Sequence, residues 1–210
     1  MRLGLLLADG NEASLLLEVA RQADRRGLAA LWLPERRGCE GETDGLFPNP
    51  AVAAAAVAVA TRRIGVRAAG LALPLHNPIR VAEEWSLVDN LSGGRVGIAF
   101  RDLAGIETVR RLWQGEAVRV PDGEGRAIEV RILPQPVQPE LPLWWLLAEP
   151  GNGGGEAVAG MAPAFASVED GLRAVRIWKE AGVGEVAVRV HLADALGALD
   201  VLEEILHHGG

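Results

Sequence analysis

Apolar residues in this chain come in short, nearly continuous blocks, and between the blocks they recur at a spacing of three and four. Arg2–Ala8, Ala29–Pro34, Ile64–Leu73, Val96–Phe100, Leu141–Ala148, Glu156–Ala166 and Glu185–Leu192 read as strands. Ile64–Leu73 is dense in Val, Leu and Ala with no clean alternation, as expected of a parallel strand covered on both faces. The stretches between read as helices with one apolar face. Leu15, Val19 and Ala23 share a face within Glu12–Gly27; Val81, Trp85 and Val88 share one after Asn77; Ile106, Val109 and Trp113 share one within Arg101–Gly115. Asn11, Asn49, Asn77 and Ser167 are capping side chains, and Pro50 and Pro78 suit first turns, which have no use for the missing N–H. Gly93 and Gly94 supply a left-handed stop. Ala193–His207 predicts the last helix, and the two histidines beyond its core, His207 and His208, read as a disordered tail.

This is a βα alternation with seven parallel strands, where a complete β/α barrel has eight. The length of 210 residues is short of the roughly 250 typical of that barrel. PDGEGR, between Ala117–Val120 and Ile128–Ile132, predicts a β-hairpin at 117–132 outside the alternation, and EPGNGGG from Glu149 is a flexible break. No linker divides residues 1–210, which read as one domain.

Charge and composition narrow the function. A formal net charge of -7 with no basic stripe argues against nucleic acid or an anionic membrane as partner. Cys39 is the single cysteine, so there is no disulfide framework and no cysteine metal cluster. The start is too short and too interrupted for a signal peptide, and residues 51–60 are half the length of a membrane span; a cytoplasmic location is the default. The helix after Pro50, AVAAAAVAVAT, is small and apolar nearly all round, so it must be covered on more than its barrel face. Packing against a second copy would do this.

Working groups in parallel β/α folds lie at the carboxyl ends of strands. The candidates are Glu35 and Arg36, Ala69 and Gly70, His76, Arg101, Glu149 and His191. No Walker loop, dinucleotide fingerprint, HExxH or nucleophile elbow occurs.

The wording of several blocks is more specific than their pattern. LPLHNPIRVAEEW and VDNLSGGRVGI at 73–98, with LWLPER at 31–36, GLFPNPAVAAAA at 45–56, GIETVRRLW at 105–113 and RILPQPVQPELPLW at 131–144, closely resemble the bacterial luciferase-like flavin monooxygenases, in particular the natural-product-biosynthesis branch. The resemblance implies a contracted TIM-type (β/α) barrel with the sixth unit missing, and a homodimer through helices 49–61 and 78–91. It implies reduced FMN, with a deazaflavin as the alternative, lying across the strand ends. It further implies oxygen insertion through a peroxyflavin, a flavin reductase as electron source, and a small-molecule or carrier-protein-bound substrate. Carried over residue by residue, Glu35 and Arg36 fall at the catalytic positions, and Ala69, Gly70, His76, Arg101 and Glu149 at the cofactor-binding ones. The family's non-prolyl cis peptide falls at Ala69–Gly70; a β-bulge without a ligand is the other reading of that glycine.

Three departures bear on catalysis. Arg36 stands where the family has a histidine, and a guanidinium cannot serve as a base near neutral pH. The loop that covers the flavin after Phe100 is lost. Pro150 replaces a phosphate-gripping serine after Glu149. An FMN-dependent monooxygenase of secondary metabolism is one reading; a non-catalytic flavin-binding or partner subunit of the same fold is the other.

Overall fold

The computed structural model describes residues 1–8, 13–35, 49–150 and 155–208. In chain order the elements are β1 (Arg2–Leu7), α1 (Ala13–Arg25), β2 (Ala30–Pro34), α2 (Pro50–Ala60), β3 (Gly65–Ala72), α3 (Pro78–Ser92), β4 (Val96–Asp102), α4 (Ile106–Trp113), β5 (Val118–Pro121), β6 (Ala127–Val130), β7 (Leu143–Leu147), β8 (Gly155–Pro163), α5 (Val168–Glu180), β9 (Val183–Val190) and α6 (Ala195–His208). Strands β1, β2, β3, β4, β7, β8 and β9 form a closed barrel in that order. Pairing of β1 with β9, from Arg2 opposite Glu185 to Leu7 opposite Val190, seals it, and every barrel pair is parallel. The barrel therefore closes one strand short of the usual eight. Neighbours β7 and β8 are joined by residues 148–154, with no helix described between them. The expected hairpin is present as antiparallel β5 and β6, outside the barrel.

Local signals act as their chemistry requires. The Asn49 and Asn77 side chains accept from the N–H of Ala51 and Ile79 at 3.0 and 2.9 Å, ahead of Pro50 and Pro78. Ser167 does the same for Asp170 at 3.2 Å, and Gly93 ends α3 in the left-handed region at φ 68°. Two boundaries differ from expectation. Strand β4 runs on to Asp102 because it stays paired with the end of β3, and α4 begins only at Ile106, after Gly105 at φ 88°. His207 and His208 are not a disordered tail: both lie in the last turn of α6, their Nδ1 atoms bonded to the carbonyls of Glu203 and Glu204 at 2.7 and 2.8 Å. Asn11 lies outside the described residues.

The main core lies between the barrel wall and the helices, and it includes the fully buried Leu5, Leu7, Leu31, Ile98 and Leu112. The amino-terminal half of the barrel interior is filled differently. Glu185, buried within it, accepts from Arg67 Nη1 at 2.7 Å and Trp32 Nε1 at 2.9 Å. The Arg67 guanidinium lies 3.3 Å from the Trp144 ring centroid, and Trp144 meets Trp32 edge-on at 5.6 Å. Burial pushes Arg67 down to about 10, with Glu185 opposing the shift, so it keeps its proton at neutral pH.

Candidate functional site

Above that plug, at the carboxyl ends of the strands, the interior stays open as a cavity of about 320 Å³. Residues at and just beyond the strand ends build it. Leu6 from β1 with Ala8 just beyond it, Pro34 from β2 with Glu35 just beyond it, Ala69 and Gly70 from β3, and Ala99, Phe100 and Arg101 from β4 form one side. Trp145 and Leu146 from β7, Met161 from β8 and Arg189 from β9 complete it. Leu6, Ala69 and Ala99 of this lining also belong to an inner apolar cluster with Ala30, Trp32, Ala159 and Ala187. Alanine at most of these positions leaves space that larger side chains would fill.

Gly70 interrupts β3 at φ 75°, and the pairing with β4 shifts register between Ala69 and Leu71. Among the described residues, a Cβ there would meet only the Arg101 guanidinium, with Nη2 at 3.4 Å. The cis peptide expected at Ala69–Gly70 is not present: that bond is trans, and the cis bond among the described residues is Leu133–Pro134. The left-handed glycine turns the strand by a bulge instead.

Glu35 is buried where β2 ends. Its Oε2 accepts from the N–H of Ala72 at 2.8 Å, and its Oε1 contacts His76 Nε2. His76 follows the short helical turn Leu73–Leu75 that carries the chain from β3 to α3. It reaches the cavity through Glu35 rather than lining it directly.

Of the residues expected from sequence, Glu35, Ala69, Gly70 and Arg101 therefore converge on one cavity, with His76 bonded to its wall. Glu149 does not converge. It lies two residues beyond β7, exposed and outside the cavity lining, because Trp145 and Leu146 occupy the wall there. His191 also lies outside the lining, at the turn after β9. Arg36 and Cys39 lie outside the described residues. Among the described residues no group of three or more His, Cys, Asp or Glu is placed to hold a metal ion. Sequence reasoning missed Arg189 and Met161. Counting by twos along β9 from the inward Glu185 reaches Ala187 and then Arg189, so parity was the available signal.

Residues 1–100, which carry β1 to β3, most of β4 and with them Glu35, Gly70 and His76, match the model of the luciferase-like monooxygenase family. The similarity to that family thus covers slightly less than half of the chain. Among its relatives, the alkanal monooxygenase alpha chain of Photorhabdus luminescens is 38% identical over 80 residues, covering 38% of this chain and 21% of that one. The chain thus matches about a fifth of that relative's length. In three dimensions it is similar to the oxygenating constituent of 3,6-diketocamphane monooxygenase from Pseudomonas putida, solved in complex with FMN. The TM-score is 0.59 and the identity 16%, over 90% of this chain and 66% of that one. It is also similar to an F420-dependent secondary alcohol dehydrogenase holding an F420–acetone adduct, with a TM-score of 0.75 and 12% identity over 100% of this chain and 99% of that one. At such identities the two solved structures show a shared fold. In this chain the shared fold is a barrel of seven strands.

Proposed function

We propose that this chain is an FMN-dependent monooxygenase that binds reduced flavin across the open end of the barrel and serves secondary metabolism. The observation that carries the reading is the floor of the cavity. Ala69, Gly70 and Ala99 leave it free of bulky side chains, whereas the interior below is packed with Trp32, Trp144, Arg67 and Glu185. A volume of about 320 Å³ lies within the range of small-molecule sites. Phe100, Trp145, Leu146 and Met161 offer apolar surface to a flat ring, and Arg101 and Arg189 offer cations to an anionic group. A deazaflavin fits the same description.

When bound, reduced flavin supplies the electrons for activating O2; the chain's part is to hold and orient the ring against Gly70 and to limit water. A flavin reductase is the electron source, and the substrate is a small molecule, free or carrier-bound. No helix among the described residues is long and apolar enough to cross a membrane; we place the protein in the cytoplasm as one domain over residues 1–210. It acts as a homodimer through α2 and α3, whose outer faces leave Val52, Val59, Leu87 and Leu91 exposed.

A second reading, a non-catalytic flavin-binding or partner subunit of the same fold, is favoured by the mouth of the cavity. Only residues 103–105 separate β4 from α4, and Trp145 is 53% exposed at the rim, so water exclusion is weak.

Anaerobic titration with FMN and with reduced FMN tests both readings, and binding of neither form overturns both. If reduced FMN binds, its reoxidation by O2, followed by absorbance, separates them: an enzyme alters the course of the reaction and a silent binder leaves it unchanged. In the same titration, R101A weakens FMN by about tenfold and leaves riboflavin, which lacks the phosphate, unaffected.

A further inference from the structure

Glu35 and His76 lie 41 residues apart in sequence and come into contact at the cavity wall. Two features of the contact exceed what a structural tie requires. First, burial is graded: the Glu35 side chain is 4% exposed and that of His76 29%, and only Glu35 lines the cavity. The imidazole thus stands between solvent and the carboxylate, and the carboxylate between the imidazole and the cavity. Second, both members can give and take a proton, whereas the Ala72 N–H, at 2.8 Å from Oε2, already orients the carboxylate and leaves Oε1 for His76. A glutamine at position 76 would hold the same loop.

We propose that Glu35 and His76 form a proton relay into the cavity, with His76 as the positioning residue that links Glu35 to solvent. The proposal rests on the flavin reading above. In the relay, protonated His76 gives the Nε2 proton to Glu35 Oε1, Glu35 passes a proton to a basic atom in the cavity, and water returns one proton to the imidazole. No electrons move, and the net change is one proton carried from solvent to the cavity occupant. Among the described residues, the other charged groups lining the cavity are the cations Arg101 from β4 and Arg189 from β9. They favour an anionic occupant, the class most ready to accept that proton. The relay would supply from position 76 the imidazole that the sequence lacks at position 36.

The test compares wild type, H76Q and E35Q. Each substitution keeps a side chain able to hydrogen-bond at its position, and far-UV circular dichroism with thermal melting checks that each variant folds. Reduced FMN, whose ring can take up a proton in this range, is titrated anaerobically by absorbance between about pH 5.5 and 8.5. The FMN phosphate itself takes up a proton near pH 6, but that contribution is common to all three proteins and drops out of the comparison. One linked proton changes a dissociation constant by up to about tenfold per pH unit. Wild type is expected to approach that slope over part of the range beyond the phosphate's share, and both variants to stay within about twofold per unit of a phosphate-only curve. A wild-type slope that survives in H76Q overturns the relay and leaves the flavin reading standing. If wild type binds neither FMN nor reduced FMN, the flavin reading falls and the relay's role falls with it. Imidazole nitrogen resonances, assigned by H76Q, test the contact without flavin: a His76 Nε2 signal unmoved by E35Q overturns the pair itself.

Discussion

Single residues in this barrel act through what their neighbours leave unsatisfied. Glu185 is the clearest case: buried, bonded through Oε1 to Trp32 and Arg67, with Oε2 lacking a hydrogen-bond partner among the described residues and Arg2 Nε at 3.9 Å. Removing one member of such a pair strands the other in low dielectric, so R67M is expected to destabilise by about 3–5 kcal/mol in urea unfolding. Replacing both charges with apolar residues of similar size should cost less than R67M alone. Gly97 is fixed by the same plug. A Cβ there would sit 2.7 Å from Trp144 Cδ1, so G97A should cost about 1–3 kcal/mol and alter tryptophan fluorescence. Asp24 governs the opposite rim. Its carboxylate accepts the N–H groups of Arg62, Arg63 and Ile64 at 3.1, 2.8 and 2.7 Å. Partial burial works to raise it, but those donors and the Arg63 charge outweigh burial and hold the carboxyl below the usual aspartate range. A carboxylate with a depressed folded value contributes stability that is present above the unfolded value and lost as pH falls through the folded one. D24N should therefore cost about 1 kcal/mol at neutral pH, discounted for solvent screening, and the gap from wild type should close below about pH 4. Each of these residues lies in a stretch that the local pattern marks as a strand or a helix. The partnership of Trp32, Arg67, Trp144 and Glu185 joins four strands, and no local spacing announces it.

At the scale of elements, the segment from β3 to α3 was the most legible. An apolar run, an Asn-Pro start and a glycine stop each have a local physical cause, and each formed as expected. The bend at Gly70 was legible as a glycine but not as a geometry. A cis bond and a bulge both suit a residue without Cβ, and only pairing with β4 selects the bulge. Helix α4 was read too long because strand pairing of Arg101 and Asp102, a tertiary effect, outweighed their place in a helical pattern. The outer faces of α2 and α3 carry a prediction at this scale. Val52 and Val59 are 69% and 66% exposed, and α2 packs beside α3, so the two helices present one apolar surface. Light scattering coupled to size exclusion is expected to give a dimer, and V52D with L87D a monomer that still folds. A wild-type monomer at micromolar concentration would end the dimer proposal.

For the whole molecule, closure with seven strands sets where a ligand can enter. The amino-terminal half of the interior is plugged, so an occupant stabilises the fold only from the open end. A ligand that binds the folded chain alone, at about 100 times its dissociation constant, adds about 2.7 kcal/mol; FMN should raise the melting temperature accordingly, and a chain that has lost the site should show no shift. What the sequence by itself determined is the βα alternation, the helix starts and stops, the excluded hairpin and the strand ends that carry Glu35, Gly70 and Arg101. These follow from side-chain periodicity, capping chemistry and backbone permissiveness, all properties of neighbouring residues. Only the tertiary structure decided that the shortened barrel closes, that Glu149 falls outside the cavity, that Arg189 lines it, and that His76 meets Glu35. Each of those depends on distances between residues far apart in the chain, and such distances are set by how strands pair around the ring rather than by any spacing along it.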